Sequence, residues 1–168
     1  MTLPFAALGA IVAALIETTV LPEIPLFGAY PDLLLALAVV AAVIMGFEDG
    51  LVWAFLGGLL VDLLTPGRPI GAVTLTLLLV VGIAAALSRA VGQRRLAAVV
   101  ITFGLTWVFH ALLLGVLVLT EGIALAAFDA RVIFLVALLN MILAVPVAAI
   151  MAVIERRFDN GDRERAAW

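Results

Sequence analysis

Apolar residues run along nearly the whole chain, and short clusters of proline, glycine and charged residues divide them into six segments. A bilayer core about 30 Å thick needs roughly 20 helical residues, and fewer where protein covers the helix ends. The pattern therefore predicts six helices, over residues 3–20, 32–47, 51–64, 70–87, 96–120 and 132–154. The second and third are short, so they could instead form a re-entrant hairpin with its tip at GFEDG, provided that protein surrounds it.

The composition supports a membrane protein, because 67% of the 168 residues are hydrophobic and only 12% are charged. Soluble globular chains average about half apolar residues, and a domain of this length could not hide the excess in one core. We expect an all-α integral membrane protein, with one transmembrane domain over residues 1–155 and a short polar tail over 156–168. The first segment follows no basic region and ends in no small-residue cleavage site, so it is expected to be a retained helix.

The basic residues are all arginines, and their distribution predicts the orientation of the helices. Seven follow the fourth and sixth segments, and two lie in the alternate loops: Arg89, Arg94, Arg95, Arg156, Arg157, Arg163 and Arg165 against Arg68 and Arg131. By the positive-inside rule, both termini are expected in the cytoplasm. The net charge of −3 and the absence of a long basic run argue against a nucleic-acid partner.

Apart from threonines, four polar side chains lie inside the apolar segments, namely Glu17, Asp62, His110 and Asn140. A rise of about 1.5 Å per residue places them in the outer half of the membrane, where they could line an outward polar pocket. Alternatively, Glu17 lies at the headgroup level, while His110 and Asn140 are hydrogen-bonded packing residues. Asp62 could pair with Arg68 across the following turn, or it could face a pocket or a partner.

Small residues recur every four positions on two helices and predict closely packed faces. One stripe lies on the first helix and the other on the third: Ala6, Ala10 and Ala14, then Ala54, Gly58 and Asp62. A neighbouring helix can approach such a row, so Asp62 is expected to point into protein and not into lipid. Whether each face meets another helix of the chain or a partner stays open.

Nothing in the sequence indicates catalysis, a metal or a cofactor. There are no cysteines, His110 is the single histidine and Ser88 the single serine, so neither a metal-ligand set nor an activated nucleophile is apparent. We expect no enzyme and no cofactor. A membrane enzyme would require the four polar side chains to converge within hydrogen-bond reach.

The stretch from Tyr30 to Leu87 resembles the rod shape-determining protein family MreD. In that family a Pro-Asp pair opens the second helix, the third helix ends in Gly-Leu-Leu-x-Asp-Leu-Leu, and a glycine follows a short turn. The matching positions here are Pro31, Asp32, Gly58, Leu59, Leu60, Asp62, Leu63, Leu64 and Gly71. The resemblance covers about residues 15–90, and the last two helices match in hydropathy only.

The resemblance implies a non-enzymatic, multi-pass scaffold in the bacterial inner membrane, in contact with membrane lipids. It would bind MreC and act with MreB, RodA and a penicillin-binding transpeptidase in lateral peptidoglycan synthesis and cell-shape maintenance. MreD in turn resembles the S components of energy-coupling-factor vitamin transporters, six-helix bundles with an Ala-x-x-x-Ala face on helix one. An S-component-like bundle is therefore expected, and a substrate-binding S component is the alternative function. The outer loops carry few aromatic and polar groups that could bind a vitamin, which argues against this alternative.

Overall fold

A computed structural model describes residues 3–26, 28–67, 69–91, 95–122 and 129–166, with side chains described only between Ala6 and Arg156. Within these ranges there is no β-strand, and one isolated bridge joins Leu26 to Ala29. The predicted all-α fold with six helices is confirmed. The helices are Leu3–Leu15 (α1), Leu33–Ile44 (α2), Phe47–Leu64 (α3), Ala72–Val91 (α4), Arg95–Glu121 (α5) and Ala130–Ala166 (α6).

Among the residues that the structure describes, four helical segments, not six, are long and apolar enough to cross a membrane. These are Ala6–Glu23, Ala72–Val91, Arg95–Glu121 and Ala130–Arg156. α2 has 12 residues, a length of about 18 Å that falls short of a 30 Å hydrocarbon core. α3 has 18 residues but carries Glu48, Asp49 and Asp62. The four segments indicate an integral membrane protein.

The first helix changes its geometry where a single helix over 3–20 was predicted. α1 ends at Leu15, and the chain continues as a π-helix over Ile16–Val20 and a 3₁₀ turn over Leu21–Glu23. Pro22 lies in that turn and has no N–H group to continue an α-helical hydrogen-bond ladder. A π segment changes the direction of its side chains relative to the preceding turns, and it contains Glu17.

α2 lies at the centre of the bundle, where it contacts all five other helices. Ten of its 12 residues are buried, which explains why its sequence is apolar on every face. Met45 and Gly46 connect it to α3, and Gly46 takes a positive φ of 117°. The burial of α2 meets the condition under which a re-entrant hairpin is allowed.

Both stripes of small residues pack inside the chain. Ala6, Ala10 and Ala14 are buried on α1, which packs chiefly against α3. On α3, a Cβ added to Gly58 would lie 2.7 Å from the Cα atom of Thr74 in α4, so only glycine allows this approach without a shift. The chain's own helices therefore occupy both faces, and neither is available to the helix of a partner.

α6 continues without a break beyond residue 154, where its predicted apolar segment ends. The helix reaches Ala166 and includes Pro146, so residues 156–166 of the polar tail are helical. Phe134 of α6 packs edge to face on Phe103 of α5, with ring centroids 6.1 Å apart. The C-terminal end of α6 thus extends beyond its apolar part into the segment that carries the arginines of 156–168.

Candidate functional site

Asp62, near the end of α3, caps the N-terminus of α4 with its side chain. The residue is 4% exposed, and its carboxylate accepts three backbone N–H hydrogen bonds, from Gly71, Val73 and Thr74, each at 3.0 Å. The hydroxyl of Thr74 donates a fourth at 2.6 Å. The first N–H groups of a helix have no partner within the helix, and a negative charge there also complements the helix dipole. Asp62 therefore joins two helices.

The family-like motif around Asp62 has a structural explanation. Gly58 lies one turn earlier and lets α3 approach the backbone of α4. Gly71 has a φ of +97°, which favours glycine, and donates to Asp62. Leu63 and Leu64 are exposed, whereas Leu59 and Leu60 are half-buried. The predicted partner Arg68 lies outside the described residues.

The N-terminus of α2 is closed in the same way by side chains from other helices. Glu17 Oε2 accepts the backbone N–H of Leu34 at 2.7 Å. The side-chain oxygen of Asn140 in α6 accepts the backbone N–H of Asp32, also at 2.7 Å. Asp32 itself follows Pro31 in an extended conformation and does not cap α2 with its side chain. Two helices that begin within the bundle are thus each closed by a carboxylate from another helix.

A polar network links α2, α5 and α6 at this level. The amide nitrogen of Asn140 donates to Asp32 Oδ2 at 3.3 Å and to Thr106 Oγ1 at 3.1 Å. His110 Nδ1 lies 2.9 Å from the backbone oxygen of Thr106, and His110 Nε2 lies 3.7 Å from Asp32 Oδ2. Thr106 and Asn140 are fully buried. The network fixes the position of the imidazole relative to the start of α2.

A cavity of about 260 Å³ lies beside this network. Its polar lining comes from the end of helix one, the segment before α2, the end of α3 and the middle of α5: Glu17, Thr18, Tyr30, Asp32, Thr65 and His110. Apolar side chains such as Val61, Val73 and Phe109 complete the wall. The cavity therefore lies between the starts of α2 and α4.

The four predicted pocket residues have three different placements. Glu17 and His110 line the cavity, Asn140 lies behind it in contact with Asp32, and Asp62 instead binds the start of α4. The convergence that a membrane enzyme would require is therefore only partial. In the part of the chain that the structure describes, no three His, Asp or Glu side chains could hold a metal ion.

Two side chains of the site, and the role of a third, were not predicted from the sequence. Thr106 belongs to a polar stripe on α5, with Thr102 and His110 spaced by four residues, and this spacing was the available signal. No pattern in the sequence singles out Tyr30 as a residue of the site. Asp32 was singled out only as part of the family-like motif, whereas it lines the cavity.

An apolar groove on the side of the bundle is the second feature that could bind a partner. Two adjoining cavities of about 360 and 170 Å³ share Gly9, Leu37 and Trp53 as their floor. Side chains of α1 border the first cavity, and side chains of α6 border the second: Leu8, Val12 and Ile16, then Val147, Ile150 and Ile154. The groove runs from the level of Glu17 towards the far end of α6.

Comparison of the chain with protein-family models, with curated proteins and with solved structures finds no match. The cavity, the two closed helix N-termini and the apolar groove are therefore interpreted from the chain's own residues.

Proposed function

We propose that the chain is a multi-pass membrane scaffold of the bacterial elongation machinery, with a role like that of MreD, and that it binds MreC. The observation that carries the proposal is the apolar groove between α1 and α6. The MreD-like motif supports it as well, because Gly58, Asp62 and Gly71 form one junction between α3 and α4.

The groove suits a single apolar helix of a partner. All its lining residues are apolar, and the indole of Trp53 packs directly on Gly9 to form its floor. Leu8 and Ile150 on its two borders are 63% and 59% exposed. The proposed occupant is the membrane helix of MreC, which packs along α1 and α6 and displaces lipid. By analogy with the MreD family, MreB, RodA and the penicillin-binding transpeptidase would be further members of the complex.

The proposed location is the bacterial inner membrane, with both termini in the cytoplasm. The positive-inside rule supports this orientation, since Arg89 and Arg95 lie where α4 ends and α5 begins, away from the polar cavity, and Arg156 lies in the C-terminal part of α6. The cavity then opens towards the outer leaflet. The groove extends from that level to the cytoplasmic side.

Bulky substitutions in the groove test the proposed partner. Leu8→Trp and Ile150→Trp should each reduce the MreC that co-purifies with the tagged chain by about tenfold, because an indole fills the space of the incoming helix. Leu79→Trp is the matched control, because Leu79 is 59% exposed on α4, outside the groove. Full recovery of MreC with both groove variants would contradict the proposal.

The polar cavity favours the second candidate function, a substrate-binding S component. Glu17, Asp32 and His110 line it together, as a binding site for a small polar molecule requires. Native mass spectrometry after mild extraction separates the two functions. A retained small molecule together with a transporter ATPase supports the second, and MreC without either supports the first.

A further inference from the structure

We propose that the cavity at the start of α2 binds a neutral ligand that carries several hydroxyl groups and has the size of a single sugar ring. The inference rests on the same cavity as the second candidate function, and it names the chemistry of the ligand there. It uses no residue of the apolar groove, so a scaffold that binds MreC in the groove could carry this site as well.

The first helix departs from α-helical geometry where it borders the cavity. Its π segment, Ile16–Val20, contributes Glu17 and Thr18 to the cavity wall. Short π segments are rare in proteins and occur frequently at functional sites. The irregular turn is therefore an observation, separate from the cavity itself, that indicates a function at this position.

Two hydroxyl groups border the cavity from the segments that precede α2 and follow α3. They belong to Tyr30 and Thr65. In the described part of the chain, neither side chain is hydrogen-bonded to another residue. A protein hydroxyl can donate one hydrogen bond and also accept. A hydroxyl of a ligand has the same two capacities, so it can bind to either group in either direction.

The imidazole of His110 also suits a ligand hydroxyl. Its Nδ1 atom lies 2.9 Å from the backbone oxygen of Thr106. Its Nε2 atom lies 3.7 Å from Asp32 Oδ2, beyond the range of about 2.7 to 3.2 Å for a hydrogen bond. A hydroxyl can donate to Nε2 when this atom carries a lone pair and accept from it when it carries a hydrogen. Binding of a hydroxyl therefore does not depend on the charge of the ring.

The carboxylates that line the cavity have partners within the protein. Glu17 accepts the N–H of Leu34 at the start of α2, where the helix dipole also favours a negative charge. The amide of Asn140 donates to Asp32 Oδ2 at 3.3 Å. A cationic ligand would have to compete with these partners, and an anionic ligand would be repelled by both carboxylates. These contacts favour a neutral ligand.

The remaining wall and the volume of the cavity set the shape of the ligand. Apolar side chains form one part of the wall, namely Val61, Val73, Phe109 and Leu113, and they can cover the C–H groups of a ring. The polar groups come from four different elements, so several hydroxyls are needed to reach them. The volume of about 260 Å³ is below the range of about 300 to 1,000 Å³ for pockets of drug-sized molecules. A single sugar ring satisfies these conditions.

Sugars that differ in charge test the class of the ligand. The full chain, purified without a histidine tag and placed in phosphatidylcholine nanodiscs, has His110 as its single histidine. Labelling with ¹⁵N-histidine therefore reports one imidazole, and glucose should shift its signals saturably. Glucosamine and glucuronate add a charge to the same ring, and cyclohexanol keeps one hydroxyl; each should bind about tenfold more weakly or less. Binding of any of the three as tightly as glucose would contradict the proposal.

The same nanodiscs distinguish a soluble ligand from a lipid headgroup. Free glucose presents the sugar from water, and monoglucosyl diacylglycerol presents it from the bilayer. A saturable shift with either supports the site and identifies the source of the ligand. No saturable shift with either would overturn the proposal.

Two variants locate the bound sugar. Tyr30→Phe and Thr65→Val should each weaken sugar binding by about threefold to tenfold, because each removes one hydrogen bond. Both side chains are at least partly exposed, so the variants are expected to fold. Thr120→Val, at an exposed position near the end of α5 and outside the cavity, is the matched control. Unchanged affinity in both cavity variants would refute the site.

Failure of the sugar site and failure of the proposed functions have different results. Loss of sugar binding with MreC still co-purifying would refute the site and leave the scaffold intact. Sugar binding without an associated transporter ATPase would retain the site and reject the second candidate function. Sugar binding without MreC would retain the site and count against the scaffold.

Discussion

Single carboxylates determine where two helices of this protein begin. Asp62 and Glu17 both accept backbone N–H groups of a neighbouring helix, and they lie in segments that are otherwise apolar. An N–H group without a partner in hydrocarbon costs several kcal/mol, by the usual order of magnitude. The carboxylate of Asp62, which stands out in an apolar stretch of the sequence, thus accepts backbone N–H groups that lie nine to twelve residues later in the chain.

Removing the Asp62 carboxylate should therefore destabilise the fold. Asp62→Ala leaves three backbone N–H groups of α4 without an acceptor, and we expect it to lower the free energy of unfolding by about 2 to 4 kcal/mol. Asp62→Asn should cost less, since its amide oxygen still accepts. Thermal unfolding in detergent measures both, with Glu48→Ala on the exposed start of α3 as the control. Equal melting temperatures for Asp62→Ala and the control would contradict this role.

The site could be predicted from the sequence only where its signal is local. Glu17 and His110 stand out as polar residues on apolar helices, and both line the cavity. The contact between Asp32 and Asn140 joins residues 108 positions apart, so it depends on the tertiary arrangement. Thr106 gives a weak signal, because threonine in a membrane helix usually bonds to its own backbone.

At the scale of elements, glycines set the distances between helices. Gly50 and Gly58 bring α3 against α2 and α4, where an added Cβ would meet Ala42 and the backbone of Thr74. Other glycines in membrane helices have open space instead, as at Gly82 and Gly104. The same residue type therefore has opposite consequences at different positions.

A matched set of alanine substitutions tests this difference. Gly58→Ala should destabilise by about 1 to 3 kcal/mol, because the methyl group forces α3 and α4 apart. Gly82→Ala and Gly104→Ala should be neutral or stabilising by up to about 1 kcal/mol, since alanine favours the helix. Unfolding in detergent compares the three variants. A Gly58→Ala protein as stable as the two controls would rule out close packing at this junction.

The number of helices was predictable, whereas their limits were not. Proline and glycine clusters separate the apolar runs clearly, so all six helices were found. α3 begins four residues before its predicted start, because Glu48 and Asp49 form the first turn of the helix and not a polar turn before it. Acidic residues are favoured there by the helix dipole. The π segment after Leu15 has no comparable signature in sequence.

At the scale of the whole molecule, the polar cavity and the arginines at the junction of α4 and α5 lie at opposite ends of the bundle. The cavity borders the starts of α2 and α4 and the end of helix one, whereas Arg89 and Arg95 lie where α4 ends and α5 begins. In the orientation that the positive-inside rule predicts, the cavity would lie on the outer side.

Cysteine labelling tests that orientation, because the native chain has no cysteine. Glu23 and Glu48 are exposed and lie near opposite ends of α2. An impermeant maleimide added to intact spheroplasts should modify Glu23→Cys, while Glu48→Cys should react only after the membrane is opened. Labelling of Glu48→Cys in intact spheroplasts would reverse the proposed orientation. Protection of Glu48→Cys under both conditions would favour the re-entrant hairpin.

The central position of α2 has a consequence for the order of assembly in the membrane. α2 presents almost no surface to lipid, and the N–H of Asp32 at its start is satisfied by Asn140 from α6. That acceptor is synthesised about a hundred residues later. Until α6 arrives, the beginning of α2 has lost water and has not yet gained its final partner. It follows that α2 takes its place late, and that truncation before α6 should leave an intermediate that membrane proteases degrade.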